Sequence, residues 1–348
     1  MHLRRNSIWF AVSIVFLMLA CSMGPKVLVQ VQKPAAIHLV GVKEVAVVDF
    51  KGPMGGCDQV SSLVQSLLVS SNYYTVTERD KLQSILDEQK LSMAGIVSDS
   101  TATEVGALLG VDALIFGEVT HWNVEPDERG VEKVEKKEGT GKYEEVNEKN
   151  IFTGKTRKVK REIMRTVWVD EHYRIRRGSV AIHFRVVDVE SGKLLVAQSD
   201  SKSYDSGKVK EGSWKGLKPE GEILADLSKV ICERFVHMIA PYTVSERRII
   251  ESGKGTIKIG ARYAQTGLWQ EALDTWKKSV EENPNEPAAF YNLGVGYEVQ
   301  GMLDEAEQAY QTAVGLKPKK YYMEAIARVR QAREDQRKLQ EQLKEKGK

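Results

Sequence analysis

A glycine-rich loop near the N-terminus is the first part of the sequence whose residue types could do chemistry. Residues 45–50, Val-Ala-Val-Val-Asp-Phe, form the short apolar run that is typical of a buried strand, and residues 52–56, Gly-Pro-Met-Gly-Gly, lead from it towards an amphipathic helix. A strand, a glycine loop and a helix in this order hold the phosphate in many nucleotide-binding enzymes. Such a loop needs Gly-x4-Gly-Lys-Ser/Thr, so that a lysine and a hydroxyl reach the phosphate and its magnesium ion. Because Gly56 is followed by Cys57 and Asp58, the sequence predicts a tight turn and not a nucleotide site.

The histidines and cysteines form no local pattern that would bind a metal or activate a nucleophile. The chain has no His-Glu-x-x-His, Cys-x-x-Cys or Gly-x-Ser-x-Gly motif, although a triad that only the fold assembles stays open. We expect no metal, no cofactor and no enzymatic activity. The net charge of +3, from 51 basic and 48 acidic residues, also argues against a nucleic-acid partner, which needs a broad basic surface. The scattered histidines are His2, His38, His121, His172, His183 and His237.

Cys21 is the residue with the clearest chemical assignment. A charged start that includes Arg5 precedes the apolar run 8–19, which is the layout of a secretory signal and is short for a spanning helix. The small residue before Cys21 resembles the lipobox of bacterial lipoproteins, in which a signal peptidase cuts before a cysteine that is diacylated through its sulfur. Residues 1–20 are therefore predicted to be a lipoprotein signal peptide, and acyl chains such as palmitate on Cys21 to anchor the protein in one leaflet. Ser22, in place of Asp, favours the periplasmic side of the outer membrane by the sorting rule of that family, with a plain signal or an uncleaved anchor as the alternative.

The two remaining cysteines are Cys57 and Cys232. In the oxidising periplasm a disulfide between them is permitted. Two buried free thiols are the alternative, because free cysteine behaves as a small apolar residue.

The middle of the chain has the pattern of a mixed α/β domain. Residues 21–43 show no sustained period and contain two prolines, which indicates a tether between lipid and fold. Residues 44–250 combine short apolar runs, amphipathic helices and an alternating hairpin. An insertion at about residues 126–165 differs, because 19 of the 37 residues 129–165 are charged. We expect it to be exposed and mobile, with its basic second half a solvated hairpin rather than a polyanion contact.

The C-terminal part contains a sequence repeat with a period of 34 residues. Small and large packing residues recur as they do in the tetratricopeptide repeat, in which two antiparallel helices pack together. Two repeats, residues 254–318, are fewer than the three that usually form a stable stack, so residues 319–348 are predicted to supply a capping helix and a charged tail that frays beyond Arg333. The repeat positions are Ile259, Gly260, Tyr263, Gly267, Ala272, Trp276 and Pro284, and then Leu293, Gly294, Tyr297, Gly301, Ala306, Tyr310 and Pro318.

Five blocks of the sequence occur in the order that is typical of one protein family. They are Val45 to Phe50, Glu78-Arg79-Asp80-Lys81-Leu82, Leu91-Ser92-Met93-Ala94-Gly95, Gly110-Val111-Asp112-Ala113-Leu114-Ile115-Phe116-Gly117, and Arg185-Val186-Val187-Asp188-Val189-Glu190-Ser191-Gly192-Lys193. Over about residues 44–245 the chain resembles the CsgG/HfaB family, the lipoproteins of curli and holdfast secretion. The resemblance implies an α/β periplasmic domain, a mixed sheet flanked by helices, followed here by the all-α module of tetratricopeptide helical hairpins. It also implies homo-oligomeric rings in which each subunit contributes two β-hairpins to an outer-membrane channel.

The charges of the inserted region decide between the functions that this resemblance offers. The first membrane hairpin would fall near residues 125–178, but a lipid-facing strand needs about ten residues of alternating apolar character, and residues 132–138 read Glu-Lys-Val-Glu-Lys-Lys-Glu. The leading prediction is therefore an outer-membrane lipoprotein that acts as a scaffold in curli-type assembly or secretion of surface structures. Its repeat module would bind a protein or peptide in a concave groove. The alternatives are an oligomeric secretion channel and an activator of cell-wall synthases, because lipoproteins of the latter kind share a similar α/β domain.

Overall fold

The structure is a computed structural model that describes residues 24–53, 55–77, 107, 110–149 and 154–346. These residues divide into two compact units. The sheet unit lies within Val42–Val236, and the helical unit consists of the described parts of Met1–Gly41 and His237–Lys348. The helical unit is therefore built from both ends of the described chain.

Strands dominate the sheet unit and helices dominate the helical unit. The strands are β1 (Lys26–Lys33), β2 (Glu44–Val47), β3 (Thr75–Thr77), β4 (Ala113–Val124), β5 (Glu128–Lys149), β6 (Thr156–Ile175), β7 (Arg177–Asp188), β8 (Leu194–Asp205), β9 (Val209–Lys210) and β10 (Tyr242–Ile249). The helices are α1 (Gly56–Ser71), α2 (Glu220–Ile239), α3 (Thr256–Gln265), α4 (Trp269–Glu282), α5 (Pro287–Val299), α6 (Leu303–Leu316) and α7 (Lys320–Lys346), with a short 3-10 helix at Glu211–Gly216. The family-like blocks at 78–82 and 91–95 lie outside the described residues.

The sheet unit is built on a five-stranded sheet in the order β3-β2-β4-β7-β8. β2 is parallel to β3 and β4, whereas the β4–β7 and β7–β8 pairs are antiparallel. Helix α1 buries the stripe Val60, Val64 and Leu68, which recur at helical spacing. In α2, Phe235 stacks on Phe184 of β7 with the ring centroids 4.2 Å apart. The predicted mixed α/β architecture is thus confirmed.

The glycine-rich loop is a tight turn that brings α1 close to β4. Gly55 has a φ of 83°, a left-handed conformation that glycine adopts without strain. A Cβ atom on Gly56 would lie 2.9 Å from the ring of Trp122, so only glycine permits this close approach. The loop serves packing, as its sequence predicted.

The described part of the charged insertion is an exposed β-hairpin, as predicted for its basic second half, and its regular strand pairing contradicts the prediction of a mobile segment. β5 and β6 pair along most of their length, so the hairpin ends at Ile175 and not at about residue 165. The 22 residues of β5 correspond to about 70 Å of strand. The guanidinium of Arg165 lies 2.9 Å from the carboxylate of Glu138 on the opposite strand. Arg157 and Glu148 form a second pair, also at 2.9 Å. Composition alone misses this stabilisation, because opposite charges stabilise a hairpin only in the right register.

β1 and β10 form a separate antiparallel ribbon in the helical unit. Residues 26–33 are therefore not part of a tether, and that prediction is corrected. The missed signal is the period-two alternation of Val27, Val29 and Val31, of which the first two are buried. The boundary predicted at residue 250 also differs, because β10 belongs to the helical unit and not to the α/β domain.

The helices that follow β10 pack as antiparallel neighbours. α3 with α4 and α5 with α6 form two hairpins, and α7 packs on α6. The turns inside the hairpins contain Gly267 and Gly301, with φ values of 80° and 75° that glycine accommodates at the end of a helix. These hairpins confirm the predicted all-α module. None of the helices among the described residues combines the length and the apolar composition that a membrane span requires.

Helix α7 is held in place well beyond Arg333, and the prediction that the tail frays there is wrong for the residues up to Lys346. Helix α7 continues to Lys346, and the side chain of Gln342 is buried. Its amide nitrogen donates to the carbonyl of Ala35, and its oxygen accepts from the N–H of Ala35, both at 3.0 Å. A polar residue that pairs with backbone therefore helps to anchor this charged helix.

Candidate partner-binding site

The 34-residue repeat places two aromatic rings against two glycines. A Cβ on Gly260 would overlap Nε1 of Trp276, and one on Gly294 would lie 2.7 Å from the ring of Tyr310. Glycine at these positions therefore lets α4 pack on α3 and α6 on α5. Nε1 of Trp276 also donates a hydrogen bond to the carbonyl of Ile257 at 3.2 Å. The same packing arrangement recurs in both hairpins.

The other repeat positions differ in their burial. Ala272, Ala306 and Leu293 lie in the core of the helical unit. Ile259 and Tyr263 are 46% and 36% exposed, because α3 is the first helix of the stack in the described chain. The remaining repeat positions are two turn glycines, two exposed loop prolines and one half-buried tyrosine: Gly267, Gly301, Pro284, Pro318 and Tyr297.

The β1–β10 ribbon lies against α5 and α7. Nε of Arg248 on β10 donates to Oε1 of Glu298 on α5 at 2.8 Å. Nζ of Lys33 on β1 donates to Oδ2 of Asp335 on α7 at 3.1 Å. α5 is the first helix of the second hairpin and α7 is the helix that follows that hairpin, so the chain's own ribbon covers part of the surface on which a partner groove was predicted.

Glu298 is the centre of a buried ion-pair network. Its carboxylate accepts hydrogen bonds from Nε and Nη2 of Arg328 at 2.9 and 2.7 Å, in addition to the bond from Arg248. The hydroxyl of Tyr310 donates a further bond at 2.8 Å. Burial raises the pKa of Glu298, but the hydrogen bonds and charges of Arg328 and Arg248 outweigh it, and the pKa is lowered overall. One ionised side chain thus connects β10, α5, α6 and α7.

Glu251, which closely follows β10, forms a second junction. Its carboxylate binds the side chains of Lys319, Tyr321 and Tyr322. Its N–H donates to Oδ1 of Asn292 at 2.8 Å, and its carbonyl accepts from Nδ2 of the same residue at 3.0 Å. Burial raises the pKa of the carboxyl group, but these side-chain donors reverse the effect and the pKa is lowered overall. The end of the ribbon is thereby fixed to α5 and to the start of α7.

A cleft remains between β1 and α7, and it encloses a cavity of about 240 Å³. One wall consists of five consecutive residues of β1, Val29–Lys33, and the other includes Ala332 and Leu339 of α7 and Leu303 of α6. Only alternate residues of a strand share a face. Five consecutive lining residues therefore indicate that the backbone of β1 borders the cleft, and the lining residues Glu246 and Arg248 of β10 show that the cleft also extends over the face of the ribbon.

The backbone of β1 presents hydrogen-bonding groups at this edge. The N–H of Ile250 donates to the carbonyl of Pro25 at 2.8 Å, so Pro25 and every second residue after it direct their backbone groups to β10. The intervening residues Leu28, Gln30 and Gln32 direct theirs to the opposite edge. In the described part of the chain, β1 has no strand partner besides β10.

The other residues singled out from the sequence do not join this site. Cys21 lies outside the described residues. Cys57 is half-buried, Cys232 is buried, and both are free thiols in the structure. Nδ1 of His183 lies 2.8 Å from Oγ of Ser199 across β7 and β8. The described residues contain no group of three or more His, Cys, Asp or Glu side chains that could hold a metal ion.

Sequence reasoning missed Glu298, although the sequence contains a signal for it. Helix α5 reads Pro-Ala-Ala-Phe-Tyr-Asn-Leu-Gly-Val-Gly-Tyr-Glu-Val, so Glu298 is its single charged residue. A lone carboxylate on an otherwise apolar helix is buried only with a partner of opposite charge. That partner comes from β10 and from α7, which no local pattern identifies.

Two family models match the chain. Residues 45–223 match the model described as curli production assembly/transport component CsgG. Residues 258–344, which contain most of α3 to α7, match a domain of unknown function, DUF6340.

Matches to curated proteins are partial. The photosystem I assembly protein Ycf3 of Synechococcus sp. (strain CC9311) is 34% identical over 62 residues, which are 18% of this chain and 36% of that protein. Ycf3 of Prochlorococcus marinus is 34% identical over 56 residues, 16% of this chain and 32% of that protein. The chain thus spans about a third of the length of these curated relatives.

Several solved structures are distantly similar. The PelC dodecamer from Paraburkholderia phytofirmans aligns at 11% identity and a TM-score of 0.30, covering 61% of this chain and 98% of that chain. The C-terminal domain of LpoB from Salmonella enterica aligns at 8% identity and a TM-score of 0.27, covering 47% of this chain and 83% of that chain. Lipoprotein GNA1162 from Neisseria meningitidis aligns at 13% identity and a TM-score of 0.30, covering 54% and 97%. At these TM-scores the likenesses carry no argument about assembly or function.

Proposed function

This chain belongs to the family of the curli production assembly/transport component CsgG, and on that premise we propose that it is an outer-membrane-anchored periplasmic lipoprotein that acts in the assembly or secretion of curli-type cell-surface structures. It works as a scaffold with no enzymatic activity of its own. Acyl chains on Cys21 attach it to lipid, and its helical unit binds the protein partner. The observation that carries the proposal is the cleft between β1 and α7.

The cleft fits an extended peptide segment better than a helix. A cavity of about 240 Å³ has the volume of about eight water molecules at roughly 30 Å³ each. A helix with its side chains is about 10 Å across, which is too wide for a cavity of that volume. A segment that adds a strand to a free sheet edge gains its affinity from main-chain hydrogen bonds. Leu28, Gln30 and Gln32 present the backbone groups that such a segment would pair with.

The charges in the cleft favour an uncharged segment. Lys33 lies 3.1 Å from Asp335 and 3.5 Å from Glu246. Glu298 is bound by Arg248 and Arg328. The three acids and three bases thus neutralise one another, and a charged side chain brought between them would have to displace an existing pair. The partner segment should therefore be apolar or neutral, and binding should depend weakly on salt.

Obstructing the cleft tests this role. Ala332→Trp places an indole in the cleft, and Ala327→Trp places the same group on the exposed side of the same helix. We expect cells that produce the first variant to export much less of their surface-structure protein, like cells that lack the chain, and cells with the second to export normal amounts. The measurement is the quantity of exported subunit on the cell surface at matched levels of the two variants.

The outcomes separate the role from the binding site. Normal export in cells without the chain would refute the role in assembly or secretion. Loss of export without the chain, but normal export with Ala332→Trp, would show that the cleft is not where the partner binds.

A secretion channel is the second candidate, and the β5–β6 hairpin favours it. The hairpin is about 70 Å long, and β6 pairs with β9 only at Tyr173 and Arg174. Long strand edges invite pairing with neighbouring chains, so copies of this protein could join into a ring through their hairpins. Single-channel recording of the detergent-extracted, acylated protein in planar bilayers distinguishes the candidates. Discrete, reproducible conductance steps would favour the channel, and electrical silence of acylated protein would favour the scaffold.

A further inference from the structure

The chain enters the helical unit at a fixed point. The carbonyl of Pro25 accepts a hydrogen bond from the N–H of Ile250 at 2.8 Å, and a Cβ on Gly24 would overlap the carbonyl oxygen of Ile250. The backbone at Gly24 therefore packs directly on the end of the ribbon, next to Glu251. Cys21 is three residues away, which is at most about 11 Å of extended chain. A lipid leaflet that holds acyl chains on Cys21 must therefore lie close to this point.

Exposed lysines surround the entry point. The carboxylate of Glu251 binds Lys319, which places the loop between α6 and α7 beside Gly24. Three of the four nearby exposed lysines have no carboxylate partner among the described residues, and the fourth has only an i,i+4 pair within α7, at 3.7 Å. The face is therefore positively charged. The four, named here the entry lysines, lie within three residues of Gly24, Glu251 or Lys319 along the chain: Lys26, Lys254, Lys317 and Lys320.

We propose that the entry lysines lie against the anionic phospholipid headgroups of the leaflet that holds the acyl chains. This inference rests on the proposed acylation of Cys21, and it adds which face of the helical unit meets the membrane. The short reach from Cys21 brings the face to the lipid surface, and the lysines match the charge of the headgroups. Acyl chains and a basic surface are the two signals that together make a peripheral anchor firm.

The contribution of the entry lysines is measurable. A lysine near an anionic surface increases the binding constant by roughly fivefold. Four lysines that all reach the surface should together increase the binding constant by well above tenfold. The attraction falls off within a Debye length, about 10 Å at 0.1 M salt, so it should disappear in 1 M salt while the acyl anchor persists.

The test compares two positions on the acylated, full-length protein in vesicles. In a Cys57→Ser background, a fluorophore is attached to Ser252→Cys beside the entry point or to Gln340→Cys on α7. Gln340 lies twenty residues along the helix from Lys320, about 30 Å. The vesicles contain a headgroup-labelled quenching lipid and either one-third phosphatidylglycerol or only phosphatidylcholine. We expect the Ser252→Cys label to be quenched at least threefold more than the Gln340→Cys label in anionic vesicles, and the difference to shrink in neutral vesicles.

A charge-removal variant makes the test specific. Replacing the four entry lysines by glutamine should reduce quenching of the Ser252→Cys label to the level found in neutral vesicles. Replacing four other exposed lysines, Lys277, Lys278, Lys338 and Lys344, should leave it unchanged. Equal quenching at the two label positions, or the same loss with both sets of substitutions, would overturn the inference. A protein that mass spectrometry shows to be unacylated at Cys21 would overturn the lipid anchor itself.

Discussion

Removal of the Glu298 carboxylate should destabilise the helical unit by about 3 kcal/mol. The side chains of Glu298 and Arg248 are only 6% and 5% exposed, so Glu298→Ala leaves a buried guanidinium with Glu246 as its remaining partner, at 2.7 Å. Breaking a buried ion pair costs roughly 3–5 kcal/mol. Arg328 is 29% exposed and can regain water, which places the expected cost at the lower end.

Urea unfolding of the full-length protein, followed by circular dichroism at 222 nm, measures this cost. With a slope of about 2 kcal/mol per molar urea, the midpoint of the helical transition should fall by roughly 1.5 M. Glu305→Ala is the matched control, because Glu305 is exposed on α6 and forms no ion pair among the described residues. If Glu298→Ala changes the free energy of unfolding by less than about 1 kcal/mol, or no more than Glu305→Ala does, the account of the network is refuted.

A triple substitution identifies the source of the cost. Replacing Glu298 by leucine together with Arg248→Met and Arg328→Met removes all three charges and keeps apolar volume. Such replacements of whole buried networks are often neutral or stabilising. Stability near that of the natural protein would show that the cost in Glu298→Ala is the stranded positive charge. Stability as low as in Glu298→Ala would show that the attraction within the network itself is needed.

The same network predicts a pH dependence. Because the pKa of Glu298 is lower in the folded protein than its ordinary value of 4.5, the unfolded chain binds the proton more tightly. The stabilisation by Glu298 is therefore complete above the unfolded pKa and is lost as the pH falls through the folded pKa. The stability difference between the natural protein and Glu298→Gln should be constant from pH 8 to about pH 6 and should shrink below pH 4. A difference that grows on acidification would contradict this sign.

Three further experiments test the packing. Gly260→Ala should cost about 1–3 kcal/mol because its methyl group overlaps an indole ring, whereas Gly315→Ala, in open space on α6, should gain up to about 1 kcal/mol; equal melting temperatures would contradict this. Gln342→Ala should lower the free energy of unfolding by about 1–3 kcal/mol and should speed hydrogen exchange in the segment after β1. Unchanged exchange there would show that the Gln342 amide does not anchor this segment. Ellman's reagent should modify Cys57 in the folded, acylated protein but not Cys232, since burial raises the pKa of that thiol to about 12; two thiols that react only after reduction would indicate a disulfide.

The helical hairpins could be predicted because their determinants are local. Gly260 and Trp276 are 16 positions apart, and the same pair recurs 34 residues later as Gly294 and Tyr310. Each hairpin closes a short loop, so its packing residues leave a repeated pattern in the sequence. The mixed sheet was predicted for a similar reason, since its short apolar runs and the stripe of α1 are local periodicities.

The ribbon could not be predicted in the same way, because its two strands are far apart in the sequence. Gln30 donates a hydrogen bond to Ser245 across 215 positions. The alternation in β1 indicates a strand, but nothing within residues 26–33 identifies β10 as its partner. The candidate cleft depends on this pairing, so the sequence indicated a module that binds a partner but not the surface that remains free on it.

The charged hairpin shows a different limit of composition. A count of charges between 129 and 165 predicts a mobile segment, because like charges repel and few apolar groups are available. In the structure, acids on β5 lie opposite bases on β6, as with Glu145 and Lys160. The register converts a repulsive composition into cross-strand pairs, and the register follows only once the two strands are known to be neighbours.

The helical unit combines residues 24–41 with residues 237–346, so a fragment that contains the whole unit must include both segments. A fragment that begins at residue 251 lacks the ribbon, and with it Val27, Val29 and Ile250 of the helical core and the Arg248 partner of Glu298. The N–H of Ile37 donates to the carbonyl of Met238 at 2.8 Å, so the ends of this unit lie near each other. A chain that joins residues 24–41 to 237–348 through six glycines should therefore fold cooperatively, because a close pair of ends tolerates such a connection. The fragment from residue 251 should melt at a lower temperature and expose apolar surface to a fluorescent dye. If both chains melted alike, the ribbon would be an appendage of the helices and not part of their core.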